Sequence, residues 1–287
     1  MKKLVLALAL AGALGVHAET LKTDVVVIGS GGAGLSSAVT THDLGNQVIV
    51  LEKMGIIGGN TNRAEGGINA AETQQQKEAG IPDTVDQFFS DTMKGGHDIN
   101  DARLVRVVTT KAKDSVAWLT SLGADLKTVG RAGGAKFNRA HRPSDGSAVG
   151  PEIMKTLWKA VKDRNIEVRR NSQAVEILKN KKGAVVGVKV KGKDGKVYTI
   201  ESKAVVLATG GFGANNAMVT KYKPSLKGYA TTNHAGATGD GITLALKAGA
   251  SLVDMDQIQA HPTATPDGVI VSHNSFPSPS NNGDGDV

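Results

Sequence analysis

A glycine-rich turn between two apolar runs constrains the possible fold more than any other feature of this sequence. The run TDVVVI at residues 23–28 is almost continuously β-branched and leads directly into GSGGAG at residues 29–34. Residues 35–44 are mostly small and aliphatic, and a second apolar run, at residues 47–51, ends in Glu52. This order predicts a buried strand, a tight turn, a helix and a second parallel strand, which together make a nucleotide-binding βαβ unit.

Each glycine of this turn has its own role in such a unit. Gly29 permits the tight turn, Gly31 lets the backbone approach a diphosphate, and Gly34 lets the helix and the strand pack closely. We expect the diphosphate at the N-terminus of the helix, where unpaired N–H groups and the helix dipole favour anions. Glu52 is expected to accept hydrogen bonds from the adenosine ribose. An acid at this position disfavours a 2′-phosphate and hence NADP, whereas NAD and FAD both remain possible.

The next segment, residues 54–69, combines paired glycines with small polar residues. Such a composition does not form a packed helix. It predicts a loop whose backbone N–H groups line a ligand, and the alternative is a flexible linker.

Several motifs in this order resemble the FAD-dependent fumarate reductase and succinate dehydrogenase flavoprotein superfamily, most closely the soluble periplasmic flavoproteins of the flavocytochrome c type. The matching motifs are GGN…A.GG.NAA.T..Q at residues 58–75, AHRP at 140–143, ATGG at 208–211, TGDG at 238–241 and QAHPT at 259–263. The resemblance covers roughly residues 22–271. Residues 272–287 are polar and proline-punctuated and resemble nothing in the family, which a frameshift or a truncated reading frame would explain.

The resemblance implies a set of cofactor contacts. They are Gly29, Gly31, Ala33, Gly34, Glu52, Lys53, Asn60, Thr61, Ala64, Glu65, Gly66, Gly67, Ala174, Thr209, Gly210 and Asp240. On the same basis Gly66 faces the substrate, and His261 binds a substrate carboxylate. Membrane-bound relatives tether FAD through a histidine whose position is Asn60 here, so the FAD is expected to be noncovalent. The AHRP segment should lie near the flavin, and the alternative is an exposed basic loop. No metal site is expected.

The expected fold is α/β, a Rossmann-like FAD-binding domain with a parallel sheet, helices on both faces and a β-meander, plus only the beginning of a capping domain. Residues 19–255 are assigned to the FAD-binding domain, and residues 256–287 to the start of the cap and the polar tail. The meander is predicted from Gln173 through residues 185–191 to 197–200, and a further buried strand at 204–207. Helical apolar spacing predicts helices at 84–93, 102–122 and 152–163.

The first 18 residues combine a basic start, an apolar run and a small-residue cleavage site. They predict a cleaved signal peptide and a periplasmic protein with no membrane span after cleavage, because the run is too short for an anchor. The formal net charge is +7, and the lysines of residues 179–196 are not interleaved with stacking aromatic residues, so nucleic-acid binding is not expected. The sequence contains no cysteine, which excludes thiolate clusters and CxxCH haem attachment within it.

The resemblance therefore implies an FAD-dependent oxidoreductase acting on CH–CH groups. It would reduce the C=C bond of an unsaturated carboxylate, first of all fumarate to succinate, with a dicarboxylate substrate and a separate electron-donor protein, a cytochrome, as partners. Two alternatives remain open. One is a truncated, noncatalytic remnant that binds flavin weakly, and the other is a reductase of another enoate such as urocanate or methacrylate.

Overall fold

The computed structural model describes residues 20–260. The strands are β1 (Thr20–Ile28), β2 (Val48–Leu51), β3 (Ile68–Asn69), β4 (Thr128–Gly130), β5 (Ala140–Arg142), β6 (Glu167–Arg169), β7 (Gln173–Lys179), β8 (Val185–Lys191) and β9 (Val197–Leu207). The α-helices are α1 (Gly32–Asp43), α2 (Gln74–Glu78), α3 (Val85–Gly95), α4 (Ala102–Ser121), α5 (Val149–Asp163), α6 (Asn216–Tyr222) and α7 (Asp240–Ala248). Short 3-10 helices lie at Gly59–Arg63 and Pro224–Leu226.

The main sheet has the strand order β6-β2-β1-β9-β8-β7. Strands β6, β2, β1 and β9 are parallel, and β8 and β7 continue the sheet in antiparallel order. In the parallel part, Val26 of β1 pairs with Ile49 of β2 on one side and with Val205 of β9 on the other. This arrangement confirms the predicted parallel sheet with a β-meander.

The last strand of the meander and the predicted strand at 204–207 are one continuous strand, β9, so their prediction as separate elements was wrong. The run Glu201-Ser202-Lys203 suggested a break. It continues the strand instead, because residues 199–202 pair along the backbone with residues 20–23 of β1, and the charged side chains find partners on that strand. Glu201 lies 3.0 Å from the Lys22 ammonium, and Lys203 lies 2.7 Å from the Asp24 carboxylate.

The two faces of the parallel sheet bury different layers. On one face, Val27, Val48 and Val50 pack with residues of α1 and α5, including Leu35 and Leu157. On the other face, the side chains of β1 and β2 pack against β7, β8 and β9 and against α7. This second cluster comprises Val26, Ile28, Ile49, Leu51, Ala174, Val188, Val190, Ile200 and Leu244. Each fully buried aliphatic side chain contributes about 1.5–3 kcal/mol, so the two clusters fix the βαβ unit firmly.

The helices predicted from apolar spacing are present. Helix α3 begins after Thr84, whose hydroxyl accepts a hydrogen bond from the Gln87 amide at 3.1 Å. Helix α4 ends at Ser121, within one residue of the prediction. Helix α5 begins at Val149, three residues before the predicted start. Pro151 lies in its first turn, where backbone N–H groups have no acceptor within the helix, so the missing N–H of proline does not interrupt it. Within residues 20–260 no helix combines the length and the apolar content that crossing a membrane requires.

Candidate functional site

A cleft of about 410 Å³ opens at the carboxyl ends of β1, β2 and β9. Crevices at this edge of a parallel sheet are where α/β folds bind ligands. Its lining comes from six segments of the chain, at residues 28–33, 51–54, 59–61, 172–174, 207–210 and 234–244. Most of the predicted cofactor contacts therefore meet in one place, although the chain between the first and the last segment is long.

The glycine turn leaves no room for side chains at two positions. Gly29 has φ +109°, and a Cβ there would collide with the backbone carbonyl of Ala208. A Cβ on Gly34 would collide with the carbonyl oxygen of Gly29, which is how closely helix α1 approaches β1. At Gly31 the nearest atom, Thr61 Oγ1, would be 3.5 Å from an added Cβ, so the protein itself leaves space there. The turn thus supports tight packing at Gly29 and Gly34 and an open cleft at Gly31.

The N-terminus of α1 is suited to an anion. Gly31 is its N-cap and provides no capping side chain, and its first turn has no acidic residue. The Gly32 amide donates to Thr61 Oγ1 at 2.9 Å. Within the described chain, the amides of Gly31 and Ala33 have no acceptor, and both residues line the cleft. Unpaired donors and the positive end of a helix dipole fit the diphosphate of a dinucleotide.

Glu52 is fixed at the end of β2 and is 9% exposed. Its Oε2 accepts from the Ser30 hydroxyl at 2.6 Å, and its Oε1 accepts from the Met54 amide at 2.8 Å. An ionised carboxylate has about four acceptor positions, so these bonds orient Glu52 and leave capacity for ribose hydroxyls.

Lys53 and Asp240 join opposite walls of the cleft. The Lys53 ammonium lies 3.0 Å from Asp240 Oδ2 and also donates to the Thr238 hydroxyl. The same carboxylate accepts from Thr238 at 2.6 Å and from the Gln173 amide at 3.0 Å. Burial favours the neutral acid, but these hydrogen bonds and the lysine charge outweigh it and hold the pKa of Asp240 below its usual value. Asp240 is therefore a fixed anion at the start of α7.

The remaining predicted contacts divide into those that line the cleft and those that do not. Ala33, Asn60, Thr61, Ala174, Thr209 and Gly210 line it with the residues already described. Gly34 lies beneath the turn, and Ala64, Glu65, Gly66 and Gly67 are not in the lining. Two hydrogen bonds hold this last segment. The Gly150 amide donates to the Ala64 carbonyl at 2.9 Å, and the Arg142 guanidinium donates to the Glu65 carbonyl at 2.6 Å. His261 lies outside the described residues.

The AHRP segment does not line the cleft, and the residues around it are buried rather than an exposed basic loop. Arg139 is 1% exposed and pairs with Asp83 at 2.9 Å and Asp91 at 2.7 Å. His141 is fully buried, and its Nε2 lies 2.8 Å from the Thr73 hydroxyl. Burial lowers the pKa of His141, against the effect of backbone carbonyls at Nδ1, so the neutral imidazole is favoured. These residues support the β3–β5 pairing.

The cleft also contains residues that the sequence did not single out, among them Ser30, Met54, Ser172 and His234. Ser30 lies within the glycine motif, so its role as an orienting donor for Glu52 could have been inferred. His234 had no such signal, because the contact that places it is the hydrogen bond from its amide to Asn60 Oδ1 at 2.6 Å, across 174 residues. Within residues 20–260 no group of three or more His, Cys, Asp or Glu side chains could hold a metal ion.

Comparisons with known proteins agree with this geometry. The chain matches the FAD binding domain family over residues 24–278, which extends past residue 271, where the motif resemblance ended. It is 50% identical over 248 residues to a fumarate reductase (cytochrome) of Shewanella frigidimarina, covering 86% of this chain and 43% of that protein. It is 38% identical over 250 residues to a urocanate reductase of Eggerthella lenta, covering 85% and 41%.

A solved structure has a similar fold. The open conformation of a flavocytochrome c3 fumarate reductase superposes with a TM-score of 0.86 at 42% identity, covering 89% of this chain and 45% of that one. The chain thus spans less than half the length of these relatives. The motif resemblance and the expected FAD fold are confirmed, and the chain belongs to the FAD binding domain family.

Proposed function

We propose that the protein is an FAD-dependent reductase of the C=C bond of an unsaturated carboxylate, with fumarate as the substrate. The observation that supports this proposal most is the cleft at the carboxyl edge of the sheet, which is lined by both the α1 N-terminus and Glu52. The similarity to a fumarate reductase (cytochrome) supports the substrate assignment. When bound, FAD supplies hydride transfer, and the protein supplies binding, orientation and electrostatics.

The proposed cofactor contacts bind different parts of FAD along the cleft. Gly31 and Ala33 present amides to the diphosphate, and Glu52 receives the ribose hydroxyls. The Lys53–Asp240 pair holds the α7 end of the cleft at a fixed width. Asn60 takes the position of a tethering histidine and its side chain bonds to the chain around residue 233, which supports a noncovalent cofactor.

The substrate side is proposed from the motifs alone. Gly66 is exposed, and an added Cβ there would meet no atom within 4 Å, so its backbone is accessible. We assign it to the substrate-facing side of the flavin and His261 to a substrate carboxylate. Electrons would come from a separate donor protein, a cytochrome, and the support is the similarity to a fumarate reductase (cytochrome) and to a flavocytochrome c3 fumarate reductase.

We also propose that the protein works in the periplasm. The support is the composition of residues 1–18, a basic start followed by an apolar run and a small-residue site at Ala18. N-terminal sequencing of protein from fractionated cells tests this, and a mature form beginning at Met1 would contradict it.

Residues 19–255 would form the FAD-binding domain, with the capping domain beginning at residue 256.

The function is tested with the purified protein, reduced methyl viologen as electron donor and fumarate as acceptor. We expect a yellow protein with bound FAD, oxidation of viologen that depends on fumarate, and succinate as product. The matched control is Glu52→Ala, which should lose FAD and activity together. Bound FAD without reduction of any enoate would refute the activity and leave the cofactor assignment standing.

Urocanate is the second candidate substrate, favoured by the similarity to a urocanate reductase. The same assay with urocanate in place of fumarate distinguishes the two. A ratio of kcat/KM values that favours urocanate would reassign the substrate.

A further inference from the structure

We propose that His234 is a cofactor-binding residue that donates its Nε2–H to the phosphate–ribose part of the dinucleotide. It rests on the proposed function only through the binding of FAD, not through reduction of a substrate. His234 is half-buried and lines the cleft.

The orientation of the imidazole is set by its own loop. The Gly236 amide donates to His234 Nδ1 at 3.0 Å, so in the neutral ring the proton is on Nε2. Nε2 has no hydrogen-bond partner within the described chain. The ring edge that faces away from the loop backbone therefore carries a donor that the protein itself does not use.

Two contacts place this donor between the phosphate turn and the ribose acid. The His234 amide donates to Asn60 Oδ1 at 2.6 Å, and the next residue, Thr61, receives the Gly32 amide of the α1 N-terminus at 2.9 Å. On the other side, an added Cβ on Gly236 would lie 3.0 Å from Met54 Cγ, and the Met54 amide bonds to Glu52. His234 is thus bracketed by the elements that bind the diphosphate and the ribose.

The loop that carries His234 is tied down on both sides. Asn60 Nδ2 donates to Asn233 Oδ1 at 2.6 Å, and Arg63 donates to the Thr232 carbonyl at 3.1 Å. On the far side, the Asn215 amide group donates to the Thr238 carbonyl at 3.0 Å. These bonds hold the imidazole in place before any ligand arrives, which lowers the entropic cost of using it.

Among the described residues, the lining of the cleft contains no unpaired cationic side chain for a bound diphosphate. The ionisable side chains in the lining are Glu52, Lys53, His234 and Asp240, and the lysine charge is already paired with Asp240. A diphosphate adds further negative charge to this site. The Nε2–H of His234 is a further donor in this lining, and hydrogen bonds to charged acceptors are stronger than those between neutral groups. We therefore expect a bound diphosphate or its ribose to accept this hydrogen bond.

The test measures FAD and ADP affinity of the whole 287-residue chain by calorimetry. The variant His234→Ala should weaken the binding of both ligands about tenfold, the loss of one hydrogen bond to a charged group. The variant His234→Gln keeps an N–H donor at the end of its side chain, so its affinities should lie between those of His234→Ala and the wild type.

The control is His97→Asn, which changes an exposed histidine in the α3–α4 connection and should behave as the wild type. Far-UV circular dichroism confirms that each variant is folded. Affinities of His234→Ala within twofold of the wild type, or affinities of His234→Gln as low as those of His234→Ala, would overturn the inference. A wild-type chain that binds neither FAD nor ADP would refute the cofactor assignment itself. Binding as expected without enoate reduction would support the role of His234 and refute only the proposed activity.

Discussion

Replacing Arg139 by methionine should destabilise the protein far more than removing any exposed arginine. The Arg139 side chain is 2% exposed, and its partners Asp83 and Asp91 are 0% and 16% exposed. Its guanidinium also lies 4.7 Å from the centre of the Phe88 ring. The variant Arg139→Met fills similar volume but leaves the Asp83 carboxylate buried without its counter-charge.

The expected magnitude follows from that burial. Breaking a buried ion pair by removing one partner costs about 3–5 kcal/mol, because the remaining charge stays desolvated. For a domain of this size each kcal/mol lowers Tm by about 2–4 °C, so Arg139→Met should lower Tm by about 6–20 °C. Thermal and urea unfolding followed by circular dichroism would measure it. FAD affinity below the unfolding range should be unchanged, since Arg139 does not line the cleft.

Two further variants make this reasoning refutable. Arg103→Met removes an arginine whose side chain is 91% exposed and paired with Asp101, and it should leave Tm unchanged. The double variant with Arg139→Met and Asp83→Asn removes both buried charges and should recover part of the lost stability. A single variant no less stable than Arg103→Met, or a double variant less stable than the single, would refute the account of a buried charge pair.

Three other predictions address the site and its support. Gly34→Ala forces a Cβ into the Gly29 carbonyl and should abolish FAD binding, seen as loss of flavin absorbance after gel filtration. The control Gly95→Ala, in helix α3, where an added Cβ meets no atom within 4 Å, should retain FAD. Because the pKa of Asp240 is lowered in the folded state, its ionised form contributes stability above the unfolded pKa of about 4 that is lost as pH falls below it, so Asp240→Asn should flatten urea stability between pH 5 and 3. Because burial lowers the pKa of His141, the unfolded state binds more protons below about pH 6.5, and stability should fall between pH 7 and 5 in the wild type but less in His141→Gln.

The local parts of the fold could be predicted because their determinants are contiguous in the sequence. The turn at Gly29 and Gly34 needs glycine for reasons of backbone geometry that the motif itself encodes. Helix α3 could be placed from Thr84 and the apolar spacing behind it. The strand β9 was divided in two because its charged residues interrupt the apolar pattern, and only the backbone pairing of residues 199–207 with β1 shows that the strand continues.

The rest of the site depends on contacts between distant segments, which carry no local signature. Lys53 meets Asp240 across 187 residues, and no periodicity or spacing connects the two. The burial of Arg139 is equally hidden, because a basic residue that follows a glycine pair by five positions is typical of an exposed loop until Asp83 and Asp91 are placed next to it. His234 was missed for the same reason.

The two hydrogen bonds that connect Asn60 with Asn233 and His234 complete the nucleotide pocket only late in synthesis. The phosphate turn emerges from the ribosome early, yet the wall opposite it is complete only when the segment up to Asp240 has followed. A nascent chain should therefore be unable to retain FAD until that point. Once bound, the ligand links the early and the late parts of the polypeptide. It adds about 2.7 kcal/mol to the free energy of unfolding at a free concentration one hundred times its Kd.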